Sequence, residues 1–128
     1  MRRLLLDTQV FLWWLADHPR LGAEARVVIR DPANEVYVSA ATGWETAIKR
    51  QLGKLQAPDD LDAAVEAEGF THLPISFFHA EQAGLLPGHH HDPFDRILVA
   101  QAQAEGLVIV TADPKLALYG VRTLDAEM

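Results

Sequence analysis

Asp7 stands directly after an apolar run, RLLL, and Asp113 follows another, LVIV, with only Thr111 and Ala112 between. Asp95 lies three residues into the segment opened by Asp92-Pro93, and Glu45 falls one turn into a helical pattern that follows a third run, EVYVS. Carboxylates brought together raise one another's pKa and repel, so a stable group of them is best explained by a hard cation held through oxygen. For this ligand set the ion is Mg2+ or Mn2+. Such an ion lowers the pKa of a bound water and neutralises charge developing on a phosphoryl group, which is the chemistry of phosphodiester hydrolysis.

Each acid also has a local explanation. Asp7 suits the N-cap of a helix starting at Thr8. Asp92-Pro93 places aspartate at the N-cap and proline at the first helical position, where its missing N–H costs nothing. Asp95 then falls in the first turn, where an acid suits the helix dipole. Asp113-Pro114 repeats the cap-and-proline signature. What the caps do not explain is the common position. Asp7 and Asp113 follow two strands, and functional crevices of open α/β sheets lie outside the carboxyl ends of strands where their order reverses. If RLLL and LVIV are neighbours there, the carboxylates converge, and Glu45 enters from the same edge.

Other residues carry weaker signals. Three consecutive histidines cannot all face one ion, so His89–His91 read as a solvated loop. Arg96 suits bidentate recognition of a phosphate or, equally, simple exposure on a first helical turn. Lys49 lies four residues after Glu45 and either pairs with it on one helix face or reaches a substrate. Trp13 and Trp14 are adjacent and point to different faces, which leaves one of them to be buried against a second protein.

The elements that must position these residues are short and alternate along the 128-residue chain, which reads as one domain, residues 1–128. Strands are expected at 3–6, 35–39, 71–75, 107–110 and 121–124. Helices are expected at 8–16, 22–30, 41–52, 58–68, 77–85 and 93–105, with a short one opened by Asp113-Pro114. His18-Pro19 and Asp31-Pro32 stop the first two helices, while Gly53, Gly69 and Gly106 close later ones. Pro74 puts the third strand at a sheet edge. Strands alternating with helices mean an α/β fold, a parallel sheet of about five strands flanked by helices.

Composition bounds the chemistry further. An apolar fraction of 49% with 23% charged residues is that of a globular chain. With no cysteine, disulfides, zinc–thiolate sites and thiol catalysis are excluded. The start MRRLLLDTQVFLWWL has the basic-then-apolar order of a signal peptide, but Asp7 breaks the run and no small-residue cleavage site follows, so a cytoplasmic location is expected. No stretch approaches the roughly eighteen apolar residues of a membrane span. The net charge of −7 lacks the basic footprint usual in nucleic-acid binders. Divalent metal on a carboxylate cluster inverts the local field and offsets that objection.

The strings LLLDTQVFLWWL, VSAATGWETAIKRQLGKL, HHHDPFDRILVAQAQAEGLVIVTAD and the closing YGVRTL resemble the PIN-domain ribonucleases, specifically VapC-type toxins of bacterial toxin–antitoxin pairs. The resemblance covers essentially the whole chain in the family's order, and WExAIK…LGKL with HxDPFDRxLxAQA is its specific part. It implies that Asp7, Glu45, Asp95 and Asp113 are the metal-holding catalytic acids. Asp95 rather than Asp92 matches the third acid, and Asp113 matches the most variable position. Thr8, Thr111, Arg96, His90 and Asp92 take supporting or substrate-binding places. It further implies Mg2+ or Mn2+ as cofactor, RNA as substrate, a VapB-type antitoxin as inhibitor and a homodimer.

Rival folds fit poorly. A haloacid-dehalogenase-like phosphatase needs a second aspartate two residues after the first, where this chain has Gln9. A response-regulator receiver needs paired acids after the first strand and an aspartate after the third, and neither Leu6-Asp7 nor Pro74–Phe77 supplies them. A PIN domain reduced to a binding module would lack one or more acids, and here all four are present.

Overall fold

The computed structural model describes residues 1–128. The elements run β1 (Arg3–Leu6), α1 (Thr8–Ala16), α2 (Ala23–Arg30), β2 (Glu35–Ser39), α3 (Ala40–Gln51), α4 (Leu61–Ala67) and β3 (Thr71–Leu73). They continue through α5 (Phe77–Leu85), α6 (Pro93–Glu105), β4 (Val108–Thr111), a 3-10 helix (Pro114–Tyr119) and β5 (Thr123–Asp125). The five strands form one parallel sheet in the order β3-β2-β1-β4-β5, with β1 at its centre. The α/β sandwich expected from the alternation is therefore the fold.

Strand β1 explains how the core is divided. Leu4, Leu5 and Leu6 are all fully buried, as a central parallel strand covered on both faces requires. Because successive side chains alternate, Leu4 and Leu6 face one layer with Val10, Phe11, Ala25, Ile29, Val65 and Phe70 from α1, α2, α4 and the loop before β3. Leu5 faces the other, with Ala41, Leu98, Val99, Ala102 and Leu116 from α3, α6 and the 3-10 helix. The register pairs Leu6 with Val38 of β2 and with Val110 of β4. All three strands thus end at one level. The chain order reverses between β2 and β4 on either side of β1, which opens a crevice at the carboxyl ends of β1 and β4. No helix is long and apolar enough to cross a membrane.

Several boundaries differ from the sequence expectation for identifiable reasons. Strand β3 lies at the edge as Pro74 implied but ends at Leu73. Pro74 has no N–H for the ladder, and its carbonyl accepts from Gln101 Nε2 at 3.2 Å. Helix α1 keeps its expected bounds, ending at Ala16 where Asp17 adopts a left-handed conformation, φ 51°. The segment after Asp113 is a 3-10 helix closed by Gly120 at φ 78°, not an α-helix.

The two tryptophans of α1 differ in burial, Trp14 being only partly covered. Trp13 is buried and stacks on His18, while Trp14 packs against Phe70 and donates from Nε1 to Glu68. The half-exposed tryptophan is Trp44 of α3, edge-on to Phe94.

Truncating the central strand should be costly. Leu5→Ala is expected to lower the unfolding free energy by about 2–5 kcal/mol, whereas Leu118→Ala on the exposed surface should stay within about 0.5 kcal/mol. Urea denaturation of the two variants checks this, and equal losses would contradict the assigned core.

Candidate functional site

The four acids arrive at the crevice from four elements. Asp7 is the turn between β1 and α1. Its backbone N–H donates to the Val110 carbonyl at 3.1 Å, continuing the β1–β4 ladder by one bond. Its Oδ1 accepts from the Val10 N–H at 2.8 Å and so caps α1. Its Oδ2 accepts from the Thr111 hydroxyl at 2.6 Å. Thr111 in turn accepts from the Asp113 N–H at 3.0 Å, which ties the end of β4 to Asp7 and Asp113 together. Glu45 sits on the second turn of α3 and Asp95 on the first turn of α6. All four acids line one cavity of about 470 Å³, together with Asp92, Thr8, Lys49 and Arg20.

Burial and mutual repulsion shape the electrostatics. Asp7 is 7% exposed. Desolvation pushes its pKa up to about 6, against the pull of its bonds from Thr111 and Val10, with Glu45 and Asp113 adding repulsion. Asp95 is pushed up to about 7, first by burial, then by the charges of Asp92 and Asp7, while His90 acts in the opposite direction. Lys49 donates to Glu45 Oε2 at 2.5 Å, and this bond raises the lysine's own pKa.

The donors are unevenly distributed. Both oxygens of Asp7 accept a hydrogen bond, as do both of Asp113, from the Lys115 N–H and His90. Glu45 Oε1 is buried with no donor at all. An orphaned, buried carboxylate oxygen on a residue that lines a cavity with four further carboxylates is a donor set that a hard divalent cation would satisfy, and Mg2+ or Mn2+ fits it. Asp7, Glu45 and Asp95, with Asp113 at the rim, are the residues that would hold such an ion.

The supporting residues sort differently from the sequence expectation. Asp92 caps α6, its Oδ1 accepting from the N–H groups of Phe94 and Asp95, and it also lines the cavity. Thr8 lines the cavity, but its hydroxyl pairs with that of Thr42 at 3.1 Å rather than with an acid. Arg96 does not reach toward a phosphate. Its guanidinium donates to the carbonyls of Ala83, Leu86, Pro87 and His90, strapping the loop 86–91 to the start of α6. His89 and His91 are exposed as expected of a solvated loop, but His90 folds inward. Its Nε2 lies 3.0 Å from Asp113 Oδ2 and 3.1 Å from Asp95 Oδ2.

Sequence reasoning missed Tyr119, whose hydroxyl accepts from the His90 N–H at 2.8 Å and donates back to the His90 carbonyl at 3.3 Å. A tyrosine 29 residues from its partner carries no local signal.

Comparison with known proteins gives a consistent result. The PIN domain family model matches residues 4–121. Ribonuclease VapC22 of Mycobacterium tuberculosis is 31% identical over 119 residues, 91% of each chain. Ribonuclease VapC16 of the same organism is 46% identical over a 46-residue stretch, 33% of each chain. Among solved structures, the DNA-bound VapBC2 of Rickettsia felis superimposes with a TM-score of 0.70 at 16% identity, over 95% of this chain and 97% of that one. The DNA-bound VapBC of Salmonella typhimurium gives 0.69 at 22% identity over 98% of both. These two establish similarity of fold.

The raised pKa values carry a stability consequence. The folded chain binds the Asp7 and Asp95 protons more tightly than the unfolded chain does. The two groups therefore cost progressively more stability as pH rises from about 4 to about 7, and the full amount above that. In chelator, Asp95→Asn should leave the melting temperature unchanged near pH 4. At pH 8 it should raise it by several degrees, at about 4 °C per kcal/mol for a domain of this size. Equal shifts at the two pH values in a thermal melt would contradict the assignment.

Proposed function

This chain belongs to the PIN-domain family, and within it we propose a VapC-type endoribonuclease, dependent on Mg2+ or Mn2+, that acts as the toxin of a toxin–antitoxin pair. The observation that carries this reading is the donor-poor cluster itself. Four carboxylates from β1, α3, α6 and the end of β4 line one cavity, with Glu45 Oε1 buried and unpartnered. The relative aligned along 91% of the chain is a named ribonuclease, which supports RNA as the substrate. A divalent ion bound there would lower the pKa of water and offset charge developing on the phosphoryl group.

The chain's own residues set the stage for that chemistry. Thr111 and the Val10 N–H fix both oxygens of Asp7, so its orientation needs no reorganisation when substrate arrives. Lys49 holds Glu45 by one oxygen and leaves the other without a partner. Lys49 and Arg20 are the cations lining the cavity, and they would meet a phosphate approaching the acids. Cavity acids outnumber these two cations, so RNA affinity would depend on the ion being present.

The same reading includes a VapB-type antitoxin that silences the site by covering it, a homodimer of this chain, and action on single-stranded or looped RNA in the cytoplasm. Its support is the VapC relationship and the fold shared with the VapBC complexes.

Asp7→Ala and Asp95→Ala should each reduce RNA cleavage by on the order of 100-fold or more, and a chelator should abolish the wild-type activity. A gel assay with magnesium and with chelator reads this out. Full activity in either variant, or indifference to chelation, would overturn the mechanism. Expressed alone, the wild type should slow growth and Asp95→Ala should not. Equal toxicity of the two would remove the ribonuclease explanation.

A further inference from the structure

His90 is held more firmly than any other residue of its loop. Its main-chain N–H and carbonyl are both bonded to the Tyr119 hydroxyl, and the carbonyl also accepts from Arg96. Its ring Nδ1 accepts from the Asp92 N–H at 3.1 Å. That bond assigns the tautomer, because a nitrogen accepting from a backbone N–H cannot itself carry hydrogen. The ring proton is on Nε2, which therefore donates. The geometry directs it to Asp113 Oδ2 at 3.0 Å, with Asp95 Oδ2 alongside at 3.1 Å.

A histidine that ligates a metal has the opposite arrangement. Its ligating nitrogen is bare, and the other nitrogen donates to a carbonyl or carboxylate. Here the nitrogen facing the carboxylates bears hydrogen and the other faces a donor. His90 is thus oriented as a hydrogen-bond donor to the acids and not as a ligand. It also does not line the cavity on which the four acids converge, so it approaches the Asp95–Asp113 pair from outside that space.

The position is one an ion would otherwise favour. The ligand atoms of His90, Asp95 and Asp113 lie within 4.8 Å of one another, a span that suits oxygens around one divalent ion with bonds of about 2.0–2.2 Å. Two-metal nuclease sites place their ions about 3.5–4 Å apart, bridged by shared carboxylates. With His90 in place, one oxygen of Asp95 and one of Asp113 face an N–H, and the other Asp113 oxygen accepts from the Lys115 N–H. The carboxylate oxygens of the cavity acids left without a donor are the remaining oxygen of Asp95, Glu45 Oε1 and Asp92 Oδ2.

We propose that His90 caps the Asp95–Asp113 pair as a hydrogen-bond donor, so that the site takes a single divalent ion, and that removing the imidazole opens a second ion position between those two carboxylates. The inference rests on the metal-dependent reading above. His90 is a positioning residue in this scheme: it holds two carboxylates where a second cation would stand, and Tyr119 and Arg96 hold it there.

The test is a Mn2+ titration of the purified chain, with free ion counted by its six-line paramagnetic resonance signal. The wild type should bind one ion and His90→Ala two, the second weaker and magnetically coupled to the first. His90→Gln, whose amide places an N–H at a similar reach, should stay at one and controls for loss of folding. Two ions in the wild type, or one in His90→Ala, would overturn the cap while leaving the metal site standing. Nitrogen coupling to the wild-type ion that vanishes in His90→Ala would overturn it too, by making the ring a ligand. No ion in the wild type would instead overturn the metal-dependent reading, and this inference with it.

Discussion

Carboxylates crowded at one crevice repel one another, and each is also deprived of the water that would stabilise its charge. The surroundings of the acids relieve that cost only in part. Asp7 receives two donors and is still pushed up to about 6, because burial outweighs them. Asp95 has only His90 beside it and is pushed further, to about 7. Glu45 keeps a lysine on one oxygen and nothing on the other. Full satisfaction by protein donors would have left an inert polar network. The incomplete satisfaction is what a hard ion would relieve.

Holding such an arrangement requires a scaffold that does not yield to the repulsion. The central strand supplies it. Three consecutive leucines, all fully buried, fix β1 between two apolar layers, and the Leu6–Val110 register sets Asp7 and Thr111 side by side. A slip of one residue would turn Leu5 to the opposite layer and swing Asp7 away from Thr111. The same hydrophobic pattern that specifies the sheet therefore also specifies which carboxylates meet.

How much of this was legible in the sequence follows from range. Strand–helix alternation, the edge position of β3 and the cap-and-proline helix starts are local, and each is found within a residue or two of where it was expected. The neighbouring of β1 and β4 was posed as a condition, and the sheet order meets it. What was not legible depends on partners distant in sequence or on loop geometry. Arg96 suited phosphate contact and simple exposure equally, yet four carbonyls of residues 83–90 occupy it. His90 looked solvated because its neighbours are. Only the Tyr119 hydroxyl, on the 3-10 helix, shows why one of three identical side chains folds inward. The exposed tryptophan was sought on α1, whereas packing buries Trp13, covers Trp14 in part and leaves Trp44 at the surface.

The competition between capping and ligation, which the sequence left open for Asp7 and Asp113, dissolves in the structure. A carboxylate has two oxygens and about four acceptor positions, so one backbone N–H does not exhaust it. Asp7 caps α1 through Oδ1 while Oδ2 turns toward Thr111. Asp113 accepts from the Lys115 N–H through Oδ1 while Oδ2 meets His90. Asp92 differs in kind, since its Oδ1 alone serves two amides and thereby orients the first turn of α6, on which Asp95 is carried. The cap at each helix start is thus the means by which a short polar side chain, standing at the end of a strand, is pinned with one oxygen and left able to act with the rest. That arrangement accounts for why the acids of this crevice cluster at helix N-termini: the free N–H groups there pin an anion without neutralising it.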